Sequence, residues 1–210
     1  GTPIARNYLR ALGDWIKVYN NGEIIADRYL IKDKDLKILL DTQPDLPPSA
    51  PNDIPIEKLP YLKLFPYRLF IPQIYSFIPG PDDQLNLDIW LLEYGSVPLT
   101  ASGELQYPNF FPELSQVWSE ASPIRQLHWL WQIINLWQPF QTQGVLSSLL
   151  DPFLLRVNGR LIQVLELSTD TNLVPNLKQL GETWEQWIPS ASPKIREFLT
   201  QICDYLHQGQ

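Results

Sequence analysis

GVLSSLLDPFLLRVNGRLIQVLEL, residues 144–167, contains the clearest local structural signal in the chain. The pair Asn158-Gly159 readily adopts the positive φ angles of a type I′ turn, and an apolar run lies on each side of it. Ahead of the hairpin, Pro152 follows a short run of Ser and Leu. The stretch therefore predicts a loop followed by a β-hairpin over 153–167.

A helix is predicted on each side of this hairpin. Ser122 offers a capping oxygen and Pro123 needs no amide partner, while Gly144 supplies a helix stop. Pro139 is expected to kink the helix or end it early. The same Ser-Pro start recurs at 192–193, ahead of a second amphipathic helix near the C-terminus. On the first helix, the spacing predicts a core face of Leu127, Leu130, Trp131, Ile134 and Trp137, opposite Gln126, Gln132, Asn135 and Gln141.

The part of the chain before Tyr94 reads as mainly β. Residues 23–43 predict two short strands around a polar turn at 33–35. Residues 44–60 are too rich in Pro for regular structure and predict a loop with a helical turn near Glu57. Two further strands are predicted, over 68–78 and 85–94, and Pro72 would place the first of them at a sheet edge or a bulge.

Composition excludes several classes of function. The net charge of −7 argues against a nucleic-acid partner, since phosphate binding needs clustered Lys and Arg. No apolar run approaches the ~20 residues that cross a bilayer. Cys203 is the only cysteine, so no intrachain disulfide can form, and we expect a cytoplasmic protein. From the absence of Met and the start at Gly1, we expect the sequence to be a piece of a longer protein.

The order of these elements resembles that of a eukaryotic-type protein kinase. RYLIKDKDLKILLD is similar to the first two strands of the kinase N-lobe, and DIWLLEYGSV to the strand that runs into the hinge. LWQIINLWQPFQTQGV resembles the helix that leads to the catalytic loop. The resemblance implies an α+β, two-lobed, protein-kinase-like fold. A small, mainly β N-lobe would span 1–97, with its Pro-rich loop at 44–60, and a reduced helical C-lobe 98–210.

The same resemblance assigns the positions where a kinase holds its catalytic groups. Ser147, Ser148 and Leu149 stand where the family has His-Arg-Asp. Asp151 falls on the catalytic-loop Lys and Leu154 on the metal-binding Asn.

Two further positions complete that assignment. Glu166 begins the equivalent of the Asp-Phe-Gly motif. Leu92, Glu93 and Tyr94 fall in the hinge that could bind a nucleotide through its backbone.

These substitutions remove the chemistry that phosphoryl transfer needs. Leu149 cannot accept a proton and Leu154 cannot bind Mg²⁺ through oxygen. No GxGxxG follows the first strand, and the Pro-rich stretch occupies the place of a third strand with its Lys. The resemblance therefore implies a pseudokinase: no catalytic residues, no metal and no cofactor.

A narrower resemblance concerns the N-terminal half. IIADRYLIK, LLDTQPDLPP and PYLKLFPYRLFIPQIY are similar to the region ahead of the catalytic domain in cyanobacterial PP2C-type Ser/Thr phosphatases. We therefore expect a regulatory or protein-interaction module, attached to such a phosphatase or bound to a protein partner. The alternative is a pseudokinase that senses ATP without phosphotransfer. The oligomeric state and the identity of the partner are left open.

Simpler structural interpretations stand beside these assignments. Glu166 is either a relic metal ligand or an ordinary carboxylate at a strand end, and Asp151 before Pro152 favours a turn. We expect His128 to be a packed or helix-surface residue and Cys203 to be a small buried apolar residue. Most of the Trp residues should be in the core, with one or two exposed as anchors of an interface.

Overall fold

The computed structural model describes residues 8–80, 87–93, 100–102, 106 and 110–209. The chain divides into two compact units, one formed by Gly1–Leu62 with Pro72–Phe110 and the other by Lys63–Ile71 with Phe111–Gln210. The predicted α+β class is confirmed, since the protein combines helices with a six-stranded antiparallel sheet. The kinase-like arrangement of two lobes stays a prediction.

The first unit is built on the six-stranded sheet. Its strands lie side by side in the order β2-β3-β4-β1-β6-β5, and all neighbouring pairs are antiparallel. The strands are β1 (Tyr8–Ala11), β2 (Ile24–Ile25), β3 (Tyr29–Asp33), β4 (Ile38–Asp41), β5 (Ile74–Ile78) and β6 (Ile89–Glu93).

Strand β1, which the sequence analysis did not predict, lies near the centre of this sheet. It pairs with β4 on one side and with β6 on the other, and all four of its residues are buried. The strands predicted within 23–43 and 85–94 are confirmed as β3, β4 and β6. The prediction for 68–78 was wrong in its first half, where a turn follows the 3₁₀ helix at Phe65–Tyr67 and β5 begins only at Ile74. Pro72 has no N–H for a strand ladder, and β5 begins after it, at the edge of the sheet.

The Pro-rich segment 44–60 contains no strand. A 3₁₀ helix at Ile56–Lys58 leads into α1 (Leu59–Lys63), which confirms the helical turn predicted near Glu57. The apolar core of the first unit includes Leu9, Ile31, Leu39 and Leu91, which come from four neighbouring strands and are almost fully buried. Alternate residues of each strand face this core, as the period of two requires.

A buried carboxylate ties the start of the Pro-rich segment to the sheet. Asp41, at the end of β4, accepts hydrogen bonds from Arg28 Nε at 2.9 Å and Nη2 at 2.8 Å, and from the Tyr75 hydroxyl at 2.6 Å. The same guanidinium donates to the carbonyl oxygens of Leu46 at 2.7 Å and Pro47 at 2.9 Å. Arg28 therefore holds the loop backbone and the strand at once.

Burial alone would raise the pKa of the Asp41 carboxyl, but the hydrogen bonds from Arg28, Tyr75 and the Gln43 backbone lower that pKa below its usual range. The Asp41 carboxylate in turn raises the pKa of Arg28. A carboxyl whose pKa is lower in the folded state stabilises the fold at pH values above its unfolded pKa. That stabilisation is lost as the pH falls through the folded pKa.

We expect Asp41→Asn to lower the free energy of unfolding by about 3 kcal/mol near pH 7, because Arg28 would keep its buried charge without a carboxylate. Urea denaturation at several pH values measures this effect. Below about pH 4 the free energy of unfolding should fall less in Asp41→Asn than in the native protein, because the variant has no carboxyl at this position to protonate. Asp14→Ala is the matched control, because Asp14 pairs with Lys17 at 3.0 Å in solvent, and its removal should leave the transition unchanged. Equal losses of unfolding free energy in the two variants would contradict a stabilising role of the Arg28–Asp41 pair.

The second unit combines helices with a two-stranded sheet. Its helices are α2 (Leu114–Val117), α3 (Pro123–Thr142), α4 (Ser147–Leu150), α5 (Leu177–Glu185) and α6 (Arg196–His207), and its strands are β7 (Leu155–Asn158) and β8 (Leu161–Val164). Two further 3₁₀ helices lie at Trp118–Glu120 and Ile188–Ser190.

The predicted hairpin is confirmed, but its turn lies one residue later than predicted. Asn158 pairs with Leu161, so the two central residues are Gly159 and Arg160 rather than Asn158 and Gly159. Gly159 has φ +59° and Arg160 a negative φ, which is the pattern of a type II′ turn with Gly at its first central position. Glycine fixes the register because it alone adopts this φ without steric cost.

The predicted ends of α3 are confirmed. The Ser122 hydroxyl accepts a hydrogen bond from the Arg125 N–H, and Pro123 occupies the first turn. At the other end, Gly144 has φ +66° and Val145 N–H donates to the Phe140 carbonyl, as in a Schellman motif. The early end predicted at Pro139 was wrong. The helix continues to Thr142, and the only bond that proline removes is to Asn135, an exposed residue.

The predicted core face of α3 was partly wrong. Trp131 and Ile134 are exposed by 60% and 46%, whereas Gln126 and Gln132 are buried. Leu130 and Trp137 are buried as predicted, and the buried face consists of Gln126, Trp129, Leu130, Gln132, Ile133, Leu136, Trp137 and Phe140. Because the helix carries apolar side chains of its own on every side, the 3.6-residue period did not single out one face.

The two buried glutamines connect α3 to its surroundings. Gln126 Nε2 donates to the Trp118 carbonyl at 2.6 Å, and its Oε1 accepts from Ser192 N–H at 3.0 Å. Gln132 Nε2 donates to the Arg160 carbonyl at 2.8 Å, and its Oε1 accepts from Ile162 N–H at 2.9 Å. Each amide thus satisfies backbone groups that the fold would otherwise bury without partners.

Helices α5 and α6 pack closely at a glycine. A Cβ placed on Gly181 would lie 3.0 Å from Leu206 Cβ and 3.3 Å from the Cys203 carbonyl. Asn176 and Gln179 form a capping box at the start of α5. The helix start predicted at Ser192-Pro193 was wrong, because α6 begins at Arg196; residues 192–195 form a turn closed by a bond from Ile195 N–H to the Ser192 carbonyl.

We expect Gln132→Leu to lower the free energy of unfolding by about 2 kcal/mol, although leucine has similar volume, because the Ile162 N–H and the Arg160 carbonyl lose their partner. Amide hydrogen exchange at Ile162 should accelerate. Gln138→Leu, on an exposed position of the same helix, is the control and should leave both measurements unchanged. A neutral or stabilising effect of Gln132→Leu would show that water or a local shift replaces these bonds.

Candidate functional site

The loop that the kinase resemblance places at the catalytic position is fixed by Asp170. One carboxylate oxygen accepts from the Ser147 N–H at 2.8 Å and from the Ser147 hydroxyl at 2.7 Å, and the other accepts from Leu146 N–H at 3.1 Å. Asp170 N–H donates to the Gly144 carbonyl at 2.8 Å. These four bonds hold the segment from Gly144 to α4 against the chain that follows the hairpin.

Ser148 makes a second connection between the same two segments. Its buried hydroxyl accepts from Ser168 N–H at 2.7 Å and lies 3.4 Å from the Ser168 carbonyl oxygen. Both serines of the loop therefore hold backbone and carboxylate groups in place. No histidine lies within hydrogen-bond distance of either hydroxyl in the described part of the chain, so neither has the base that a nucleophile needs.

The two leucines of the candidate site are part of the core. Leu149 is 2% exposed and Leu154 is 4% exposed. Their side chains offer neither a proton acceptor nor an oxygen ligand. These two residues fill the base of the loop with apolar volume.

Along the chain, Asp151 precedes β7 and Glu166 follows β8. Asp151 Oδ1 accepts from Phe153 N–H at 2.9 Å, and the Asp151 carbonyl accepts from Leu154 and Leu155, which confirms the turn that Asp151-Pro152 predicts. Glu166 is half-buried, two residues after β8. In the described ranges, no group of three or more His, Cys, Asp or Glu side chains could hold a metal ion.

The candidate hinge residues belong to the first unit. Leu92 is fully buried in β6 and pairs with Arg10 of β1 and Ile74 of β5. Glu93 N–H donates to the Gln73 carbonyl at 2.8 Å, and the Glu93 side chain is exposed. Strand β6 is thus paired on both sides up to its last residue. Tyr94 lies outside the described residues.

The second unit carries an apolar groove on its surface. It has a volume of about 390 Å³ and lies among α3, α5 and α6. None of its lining side chains is charged. The lining consists of Ile134, Trp137, Gln138, Leu177, Leu180, Ile202, Tyr205 and Leu206. We call this set the α3–α6 groove.

The exposed face of α3 continues the groove. Trp131 lies one turn before Ile134, is 60% exposed and stacks on the exposed ring of His128 with centroids 5.9 Å apart. This confirms both the expectation of an exposed Trp and the surface position expected for His128. No Asp, Glu, Lys or Arg occurs from 126 to 142, so this face is uncharged along its length.

Cys203 lies on α6 next to Gly181 of α5 and is 2% exposed. Burial raises the pKa of its thiol to about 11, with a further contribution from Glu185 and Asp204. The expectation of a small buried apolar residue is confirmed, and the thiol stays protonated at neutral pH.

Sequence reasoning missed Asp170 and the α3–α6 groove. Asp170 stands in an unremarkable polar stretch, and only its distance to the loop identifies it. The sequence did contain an indication of the groove. Helix α3 has more apolar residues than fit on one buried face, so some of them must lie on the surface.

The chain matches no family model, and no curated protein and no solved structure is significantly similar to it. Within the described ranges, no helix combines the length and the apolar character that a membrane span requires.

Proposed function

We propose that this protein is a non-catalytic, kinase-like regulatory module that recognises a protein partner, and that it acts on a Ser/Thr phosphatase to which it is attached. The observation that carries the recognition role is the α3–α6 groove, an uncharged apolar surface in the described part of the chain. The observation that supports the non-catalytic role is the use of Ser147, Ser148, Leu149 and Leu154 for structure.

The groove favours a helical partner. Ile134, Trp137 and Gln138 line it from α3, and Ile202, Tyr205 and Leu206 from α6, each set at spacings of three and four residues. A third helix laid between two others presents apolar anchors at the same spacing, which is how amphipathic helices bind in grooves. The volume of the groove, about 390 Å³, lies in the range of pockets that receive a few large side chains.

The charges restrict the partner further. A charged side chain placed against the uncharged groove would lose its hydration without gaining a partner. The anchors of the bound helix must therefore be apolar, while its outer face can be charged. Since the whole chain has a net charge of −7, a basic outer face would favour association. The occupant that we propose is an amphipathic helix with Leu-like anchors and a basic polar face.

We expect a synthetic amphipathic peptide of Leu and Lys, with leucines at i, i+3, i+4 and i+7, to bind the protein in isothermal titration calorimetry. Ile134→Asp should weaken this binding by about tenfold or more, because it places a carboxylate among the apolar anchors. Ile124→Asp is the matched control. Ile124 lies on the same helix, is 81% exposed and does not line the groove, so its replacement should leave the affinity unchanged.

Analytical ultracentrifugation of the same three proteins identifies the occupant. A dimer that Ile134→Asp dissociates and Ile124→Asp does not would make a second copy of this chain the occupant, and would contradict a helical partner. Peptide binding that both substitutions leave unchanged would remove the groove from the proposal.

We expect no phosphotransfer from ATP and no change in melting temperature on addition of Mg·ATP, because Leu149 and Leu154 stand where a proton acceptor and a metal ligand are needed. The measurement is thermal denaturation with and without Mg·ATP, beside a phosphotransfer assay. A ligand at one hundred times its dissociation constant stabilises a protein by about 2.7 kcal/mol, which is easily detected.

A Mg·ATP-dependent rise of several degrees would instead favour the alternative, a pseudokinase that senses nucleotide. Under that alternative a bulky substitution at Leu92 or Leu154 should abolish the rise, while Glu93→Ala should preserve it. Of the three hinge positions, Leu92 lies in β6 between β1 and β5, the Glu93 N–H donates to Gln73, and Tyr94 lies outside the described residues.

A further inference from the structure

A second cavity in the helical unit differs from the α3–α6 groove in its chemistry. It has a volume of about 440 Å³ and lies between the chain that enters α3, the first turns of that helix, and the turn of the β7–β8 hairpin. Phe111, Val117, Trp129 and Val157 give it apolar walls, and Arg125, Asn158 and Glu120 are polar. The cavity thus combines aromatic and aliphatic surface with few charged groups, the composition typical of small-ligand sites.

Arg125 is the one cation in this wall. Its guanidinium carbon lies 6.0 Å from the centroid of the Trp129 ring, and the Trp129 Nε1–H donates to the Gly159 carbonyl at 3.1 Å, which fixes the ring. In the described ranges no hydrogen bond or ion pair engages the Arg125 guanidinium. The nearby Arg156 differs, because it contacts Glu113 at 3.6 Å and donates to the carbonyls of Phe153 and Phe111.

A guanidinium that is half-buried on an aromatic ring and has no carboxylate is suited to a carboxylate ligand. Its planar fork presents two parallel N–H donors, which match the two oxygens of a carboxylate. Glu120, the one anion of the wall, is exposed. A multiply charged anion such as a nucleoside triphosphate would meet Glu120 and find no second cation. The wall therefore selects a single negative charge.

We propose that this cavity binds a monocarboxylate with an apolar or aromatic body, the carboxylate on Arg125 and the body against Phe111 and the valines. Such a group can belong to a small organic acid or to the C-terminus of a peptide. This proposal is independent of the α3–α6 groove, since the two sets of lining residues have no member in common.

The test uses three probes, 3-phenylpropanoate, N-acetylphenylalanine and N-acetylphenylalaninamide, titrated into the native protein and followed by NMR of the Trp129 indole N–H. We expect the carboxylates to bind and the amide to bind at least about tenfold more weakly, because the amide lacks the negative charge. Binding of N-acetylphenylalanine without 3-phenylpropanoate would assign the site to a peptide C-terminus. Binding of both would assign it to small acids as well.

The protein variants locate the site. Arg125→Gln should lower the affinity for the carboxylate probes by about tenfold or more. Arg125→Lys should retain part of that affinity, since lysine keeps the positive charge but lacks the planar pair of N–H donors. Arg160→Gln, in the adjoining hairpin turn but outside the cavity wall, is the control and should bind as the native protein does. Equal affinities for acid and amide, affinities unaffected by Arg125→Gln, or no binding at millimolar concentrations would each overturn the proposal.

Discussion

The helical unit depends on how α3 satisfies the polar groups that it buries. This helix has no charged residue after Arg125, so nearly every side chain could be buried, and hydrophobicity alone does not orient it. Gln126 and Gln132 remove that freedom. A buried amide without partners costs about 1–3 kcal/mol, and each of these amides finds a backbone donor and a backbone acceptor in only one orientation of the helix. The hairpin turn and the 192–195 turn are positioned by the same bonds, because Gln132 binds the backbone around Arg160 and Gln126 binds Ser192.

The sheet unit meets a similar constraint with a charge. Asp41 is fully buried at a strand end, where an unpaired carboxylate would not be tolerated, and Arg28 and Tyr75 supply the partners. The remaining N–H groups of Arg28 donate hydrogen bonds to the carbonyl oxygens of Leu46 and Pro47. A segment that has too many prolines for a ladder of its own is thereby attached to the sheet through its carbonyl groups, which proline retains.

Local chemistry was predictable from the sequence wherever one residue decides the conformation. Ser122 with Pro123 set the start of α3, Gly144 its end, and Asp151 a turn. Features that depend on distant partners were not predictable. β1 is four residues long, and it is a strand because β4 and β6 lie on either side of it. The exposure of Trp131 depends on the glutamine bonds across the unit, which no periodicity in α3 encodes. The hairpin turn moved by one residue because Gly159 fits the first central position of a type II′ turn as well as it fits a type I′ turn.

In the loop from Gly144 to Leu154, the polar side chains form hydrogen bonds within the protein. A catalytic loop must leave polar groups unsatisfied so that they can act on a substrate, and such groups lower stability. Here Asp170 takes up two amides and a hydroxyl, Ser148 bonds to Ser168, and two leucines fill the base. The side chains of Ser147, Ser148 and Asp151 each form at least one hydrogen bond within the protein. The groups that remain open lie elsewhere in the unit, on the uncharged face of α3 and at the guanidinium of Arg125. These two surfaces, one apolar and one with a single positive charge, are the basis of the recognition roles that we propose.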